Sequence, residues 1–308
     1  MDTQSLFSLE GRTALVTGGS RGIGKMIASG FIGQGAKVYI SSRKAEVCEA
    51  VAEKLGPNCI AVPQDISTVE GCKALATKMA EHEERIDVLV NNAGIADPRG
   101  VAAEQFDAET FNRILAVDLV GAFHYARDCG KHMLARGGGS IVNICSILAS
   151  GGNENNVLGY TAAKGGLLNM TYQLGVEWAD RGVRVNSVSP GFIVTEMTRP
   201  MLEAMGIDRW IASRTPMRRV GEVQEVTNAV MFLASDLASY ITGVDLLVDG
   251  GTNAGNGTFQ IPPIHHEWNV QTPMIPTGYE PVQPRPDWYQ ALEQGVPGVH
   301  YPLSDAGD

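Results

Sequence analysis

Cysteine is scarce in this chain and badly placed for chemistry. Cys48, Cys59, Cys72, Cys129 and Cys145 are scattered and odd in number, with no Cys-x-x-Cys pair. Neither a disulfide framework nor a zinc site is indicated. His265 and His266 stand side by side with no third ligand in sight, so they read as surface residues and no metal is expected. Basic charge is short as well: 24 Lys and Arg against 34 Asp and Glu leave a net charge of −10. Phosphate backbones want a basic face, so a nucleic-acid partner is not expected. No uncharged apolar run reaches the roughly 18 residues of a spanning helix, so no membrane association is expected either. The opening Met1-Asp2-Thr3-Gln4-Ser5 lacks a basic region followed by an apolar one. A signal peptide is therefore not read, and the cytoplasm is the expected location.

What is present is ordinary globular material, 308 residues of which 44% are hydrophobic, enough for one large α/β core. Short, apolar, β-branched runs at 13–17, 37–41, 59–62, 86–90, 140–145, 183–188 and 244–248 read as strands. They alternate little, as strands buried on both faces do. Enough chain separates them for a helix each time, which implies parallel βαβ units with right-handed crossovers. The predicted fold class is α/β: one Rossmann-type, doubly wound parallel sheet of about seven strands with helices on both faces. Residues 1–251 form this domain, and 252–308 an extended C-terminal tail.

The first strand runs into Thr17-Gly18-Gly19-Ser20-Arg21-Gly22-Ile23-Gly24, which opens a helical pattern. Strand, glycine turn and helix in that order aim backbone N–H groups and a positive helix end at one spot, which suits a pyrophosphate. After the second strand comes Ser41-Ser42-Arg43-Lys44. An acidic residue there would hold the ribose hydroxyls of NAD; with Arg43 in its place and Arg21 on the glycine turn, NADP(H) is the expected cofactor. The third strand ends at Asp65-Ile66, and the fourth at the small polar turn Asn91-Asn92-Ala93-Gly94.

Further on, Phe111, Ile114, Leu115, Asp118, Leu119, Ala122 and Phe123 share one face of a helical pattern. Asp118 thus points inward, where an ionised carboxylate without a partner costs several kcal/mol; it must be paired, protonated or at a wet site. The fifth strand ends at Cys145-Ser146, with Cys145 read as a packed strand residue. A polar loop through residues 153–156 leads to a helix bearing Tyr160 and Lys164, four apart and so on one face. A lysine beside a phenol favours the phenolate and tunes it toward acid/base work near neutrality. The sixth strand ends at Ser189-Pro190-Gly191-Phe192-Ile193-Val194-Thr195, and 196–216 reads as a loop and helix rich in Met and suited to a substrate lid. Another helix is read over 222–234. The tail holds nine of the fifteen prolines together with Trp268, Trp288 and Tyr301, which is too aromatic for a disordered linker; it is expected to pack on its own or a neighbouring subunit.

Together these motifs resemble the short-chain dehydrogenase/reductases over about residues 8–251, above all the 3-oxoacyl reductase and gluconate 5-dehydrogenase branches. The resemblance rests on Thr17-Gly18-x-x-x-Gly22-x-Gly24, Asp65, Asn91-Asn92-Ala93-Gly94, Ser146, Tyr160-x-x-x-Lys164, Pro190-Gly191 with Thr195, and Val248-Asp249-Gly250-Gly251. It implies that Gly18, Ser20, Arg21, Gly22, Ile23 and Gly24 pass the pyrophosphate, with Ser42 and Arg43 beside the adenosine ribose. Asp65 and Ile66 meet the adenine, and Asn92, Ala93 and Gly94 lie along the cofactor. Pro190, Gly191, Ile193 and Thr195 flank the nicotinamide. Ser146 orients the substrate oxygen, Tyr160 exchanges its proton, and Lys164 binds the nicotinamide ribose and lowers the phenol's pKa. The family implies a homo-oligomer, a tetramer in preference to a dimer. The sequence departs from the family by carrying Asp118 where most members have Asn, by its polar loop before Tyr160, and by the 57 residues after Gly251. The expected activity is interconversion of a ketone and a secondary alcohol, with reduction the preferred direction. A sugar acid or polyol and a more apolar ketone both remain open as substrates. A protein that binds the cofactor without turnover is the alternative from another class.

Overall fold

The computed structural model of the protein describes residues 7–68, 70–74, 77, 85–96, 101–152, 157–195, 199 and 207–255. Numbered in chain order, the strands are β1 (Thr13–Thr17), β2 (Lys37–Ser41), β3 (Cys59–Ala61), β4 (Val88–Asn91), β5 (Gly139–Ile144), β6 (Val183–Pro190), β7 (Ile193–Val194), β8 (Gly221–Glu222) and β9 (Asp245–Val248). The described helices are α1 (Gly22–Gly33), α2 (Ala45–Leu55), α3 (Ala108–Leu115), α4 (Ala122–Arg136), α5 (Leu158–Glu177), α6 (Ile207–Arg214) and α7 (Val223–Ala234). Seven strands form one parallel sheet in the order β3-β2-β1-β4-β5-β6-β9. The order reverses between β1 and β4, and the carboxyl ends of those strands frame the crevice where such sheets bind ligands.

The strands look uniformly apolar because each serves two cores. On one face Ala14, Val16, Val38, Ile40, Val88 and Val90 pack with Ile27 and Phe31 of α1 and Val226 and Val230 of α7. On the other face Leu15, Tyr39, Leu89 and Ile141 pack with Tyr125 and Met133 of α4 and with Trp178. The period of two survives, but both phases are hydrophobic.

Strand limits differ from the sequence-based expectation for local reasons. β4 starts at Val88 because Asp87 is drawn off: its carboxylate accepts from the Thr13 N–H at 2.8 Å and pairs with Arg85. β6 continues to Pro190 because β9 lies alongside it, from Ser187 opposite Asp245 to Pro190 opposite Val248. The small β7–β8 pair was not expected, since two residues per strand carry no readable period.

A larger departure lies between α3 and α4, where Ala116–Gly121 form a π turn. The extra residue rotates all that follows by about 100° relative to a continuous α-helix. Val117, Asp118, Gly121 and Ala122 are buried, while Phe123, expected on the inner face with Asp118 and Ala122, is 44% exposed. The loop at 153–156, residues 196–198 and 200–206 of the expected lid, and the tail from 256 onward, with His265, His266, Trp268, Trp288 and Tyr301, lie outside the described residues. Among the described helices none is long and apolar enough to cross a membrane.

A buried polar chain ties the middle of the sheet to α5. Asn91 Nδ2 donates to Asn143 Oδ1 at 2.9 Å, and Asn143 Nδ2 donates to Thr171 Oγ1 at 2.8 Å. Cutting it leaves buried amide and hydroxyl groups short of partners. Asn143→Ala is therefore expected to destabilise the protein by about 2–4 kcal/mol. Urea unfolding should show a lower midpoint at unchanged slope; a loss below about 0.5 kcal/mol would mean the chain is dispensable.

Candidate active site

The glycine turn is stitched to the end of β4 before any ligand arrives. Thr17 Oγ1 accepts the N–H groups of Asn92 and Ala93 at 3.0 and 3.1 Å. In return Asn92 Nδ2 donates to the Thr17 carbonyl at 2.9 Å. Gly24 has to be glycine at this junction, for a Cβ would stand 2.5 Å from the Gly18 carbonyl oxygen and 2.4 Å from Asn92 Nδ2. Arg21 precedes α1 without a side-chain cap, and the first turn, with Gly22, Ile23 and Gly24, holds no acidic residue. The free amides at this helix start suit a pyrophosphate. Ser20 is half-buried beside them, and Arg21 is exposed. Thr195 comes in from the far side of the sheet: a Cβ on Gly22 would lie 3.6 Å from its methyl group.

At the end of β2 the buried hydroxyls of Ser41 and Ser42 find no oxygen or nitrogen partner among the described residues. Arg43 follows, exposed. Asp65 ends the next connection, its carboxylate held below the usual range by the Ser67 N–H and hydroxyl and then by the charge of Arg43. Ile66, behind it, is buried. Unpaired hydroxyls, an arginine and a helix start along one crevice fit the ribose phosphate and pyrophosphate of a dinucleotide.

The chemical centre is assembled from α5, the π turn and the ends of β4 and β5. Tyr160 is half-buried near the start of α5, and one turn on Lys164 brings its ammonium to 5.6 Å from the phenol ring centroid. Lys164 is only 3% exposed. Its Nζ donates to the Ile144 carbonyl at 2.8 Å and lies 3.6 Å from Asp118 Oδ2. Burial works against the charge, but Tyr160, Asp118 and Cys145 together hold the ammonium above the ordinary lysine range. Asp118 is fully buried, and its Oδ1 accepts the Ile95 N–H at 2.7 Å. Burial pushes its carboxyl up, against the pull of the Lys164 charge and the Ile95 N–H. Gly94 is the other glycine that close approach demands: a Cβ would lie 2.8 Å from Asp118 Oδ2 and 3.3 Å from Lys164 Nζ.

Ser146 lies two residues beyond Ile144, whose carbonyl Lys164 holds. The Ser146 hydroxyl accepts the Leu148 N–H at 3.2 Å, capping the short turn Ile147–Ala149 and leaving its own proton for a ligand. That turn packs on α5, where a Cβ on Gly165 would be 3.2 Å from the Ala149 carbonyl. Cys145 is no rival nucleophile, since burial drives its thiol up to about 12. Pro190 ends β6, and Gly191 just after it packs against Asp249. Ile193 lines a cavity of about 290 Å³ together with Phe192, Met217, Arg219 and Leu247. Ser146, Tyr160 and Lys164 do not line that cavity.

Three contributors were not foreseen from the sequence. The Ile95 N–H and the Ile144 carbonyl are backbone groups, which leave no side-chain signal to read. Thr17 could have been found, because a hydroxyl at the end of β1 is well placed to take the amides of the adjoining turn.

Comparison with known proteins agrees with this geometry. A family model described as enoyl-(acyl carrier protein) reductase matches residues 18–253. Galactitol 2-dehydrogenase (L-tagatose-forming) of Cereibacter sphaeroides is 40% identical over 82% of this chain and 98% of its own length. Gluconate 5-dehydrogenase of Gluconobacter oxydans is 34% identical over 82% of this chain and 98% of its own. The crystal structure of a gluconate 5-dehydrogenase from Burkholderia cenocepacia in complex with NADP and tartrate superposes with a TM-score of 0.76 at 33% identity, covering 81% of this chain and 98% of that one. With the glycine turn, Lys164 beside the Tyr160 ring and the seven-stranded sheet on view, and with a family model over most of the chain, the chain belongs to the short-chain dehydrogenase/reductase family.

Proposed function

We propose that the protein is an NADP(H)-dependent dehydrogenase that interconverts a secondary alcohol and a ketone on a polyol or sugar acid. The observation that carries this reading is the buried Lys164 ammonium, held between Ile144 and Asp118 beside the Tyr160 ring. The relatives named for galactitol and gluconate support the substrate class, and the NADP-bound relative supports the cofactor. When bound, NADP(H) supplies the hydride exchange. Gly18, Gly22, Gly24 and the start of α1 would hold its pyrophosphate, Ser42 and Arg43 its 2′-phosphate, Asp65 its adenine, and Lys164 its nicotinamide ribose.

The chain's own residues handle the substrate oxygen. In the oxidative direction Tyr160 takes the proton from the alcohol oxygen as the carbonyl forms; in reduction it returns a proton to that oxygen. Ser146, whose oxygen already accepts the Leu148 N–H, donates its hydroxyl proton to the same substrate oxygen and fixes its position. The Lys164 ammonium stabilises the negative charge that develops on the Tyr160 oxygen as its proton leaves. Assembly into a homo-oligomer is supported by exposed apolar side chains on the outer faces of the π turn, α4 and α5: Val120, Phe123, Tyr172 and Val176, the last 77% exposed.

Tyr160→Phe should lower turnover of galactitol or gluconate with NADP+ by roughly 10²–10⁴-fold at nearly unchanged NADPH affinity. Retention of more than about a tenth of the wild-type rate would point to a different acid. Arg43→Ala should weaken NADPH by roughly 10- to 100-fold, the equivalent of a lost charge-assisted contact, and NADH far less. Fluorescence titration of both cofactors measures this, and an equal loss for the two would remove the basis of the NADP(H) assignment.

A further inference from the structure

Proton exchange at Tyr160 calls for the Lys164 ammonium but not for a carboxylate behind it. Asp118 nevertheless occupies the π turn fully buried, with its two oxygens in unlike settings. Oδ1 is taken by the Ile95 N–H at 2.7 Å. Among the described residues Oδ2 accepts no hydrogen bond within 3.5 Å and faces Lys164 Nζ at 3.6 Å, across the space that Gly94 leaves by lacking a side chain. An asparagine, the residue most family members carry here, would serve the Ile95 N–H equally well through its amide oxygen. The aspartate therefore adds a charge and no new bond.

We propose that Asp118 is a positioning residue that cancels the Lys164 charge within the site, and thereby keeps the Tyr160 proton in place to higher pH than Lys164 alone would allow. This rests on the reading of Tyr160 as the proton-exchanging group. A phenolate facing an isolated ammonium gains the full attraction of a unit charge. Facing an ammonium–carboxylate pair, it gains only the difference between two distances. Burial of Asp118 and Lys164 keeps both charges effective, since enclosed pairs are screened far less than exposed ones. Other groups nearby do not reproduce the effect. At the end of β5 the Cys145 thiol, driven up to about 12, is neutral over the working range. Asp245 on β9 reaches the cluster through Cys145, its carboxylate engaged by the Ser187 and Ser189 hydroxyls at 2.7 and 2.8 Å.

The test reads ionisation directly and needs no substrate. Tyrosinate absorbance is titrated in the full-length protein, with and without NADP+, and Tyr160→Phe in each background isolates the contribution of Tyr160. Asp118→Asn is expected to move the half-point of that contribution to lower pH by on the order of one unit, the size of a unit charge acting across several ångströms of protein. Alcohol oxidation, where Tyr160 must be deprotonated to accept, should rise at correspondingly lower pH. An unchanged half-point in the folded variant, or a shift to higher pH, overturns the proposal. Asp118→Ser, smaller and also uncharged, is read in the same way. Should neither variant fold, the carboxylate is a structural requirement and the proposal falls. Activity surviving in Tyr160→Phe would instead overturn the reading of Tyr160 itself, and the titration tells the two failures apart.

Discussion

A buried ammonium has to be surrounded by negative charge or carbonyl oxygen, and Lys164 draws both from separate parts of the chain. Ile144 offers a carbonyl from the end of β5, and Asp118 offers a carboxylate from the π turn. The end of β4 takes part through the Ile95 N–H and through Gly94, which leaves room for the pair to approach. Without those partners, enclosing the charge would cost several kcal/mol. With them, one side chain fixes where α5, and Tyr160 on it, sits against the end of β5.

The cofactor crevice is prepared in a different way, by neutral hydrogen bonds between neighbouring strand ends. Thr17 and Asn92 satisfy one another across β1 and β4, at the place where the strand order reverses. Their exchange uses up polar groups that the crevice would otherwise bury unpaired. The start of α1 keeps its capacity for a ligand. Rigid stitching beside unsatisfied groups is the arrangement expected of a preformed site.

The π turn joins the two halves of the site. It carries Val117, Asp118 and Gly121 as buried residues and leaves Phe123 turned out toward solvent. An irregular turn inside a helix is a frequent accompaniment of function. Here it delivers a carboxylate to a lysine on another helix.

Much of the architecture was legible beforehand. β1 and β2 match their expected limits residue for residue, because each is a run of apolar, β-branched or small residues closed by a polar turn. The order of strand, glycine turn and helix was legible for a related reason. Asn92, Ser146, Tyr160 and Lys164 were singled out by the resemblance to the family, since a tyrosine and a lysine four apart signal little by themselves. The inward direction of Asp118 was readable from the helical period, but its partner was not. Contact between Asp118 and Lys164, the backbone groups of Ile95 and Ile144, the extension of β6 along β9 and the outward turn of Phe123 were decided by the tertiary structure. The physical reason is range. Propensity, pattern and turn chemistry act between residues a few positions apart, and the sequence by itself determined whatever depends on them. Desolvation and charge pairing act between whatever the fold brings together, and Asp118 and Lys164 become neighbours only when the π turn and α5 close over the end of β4.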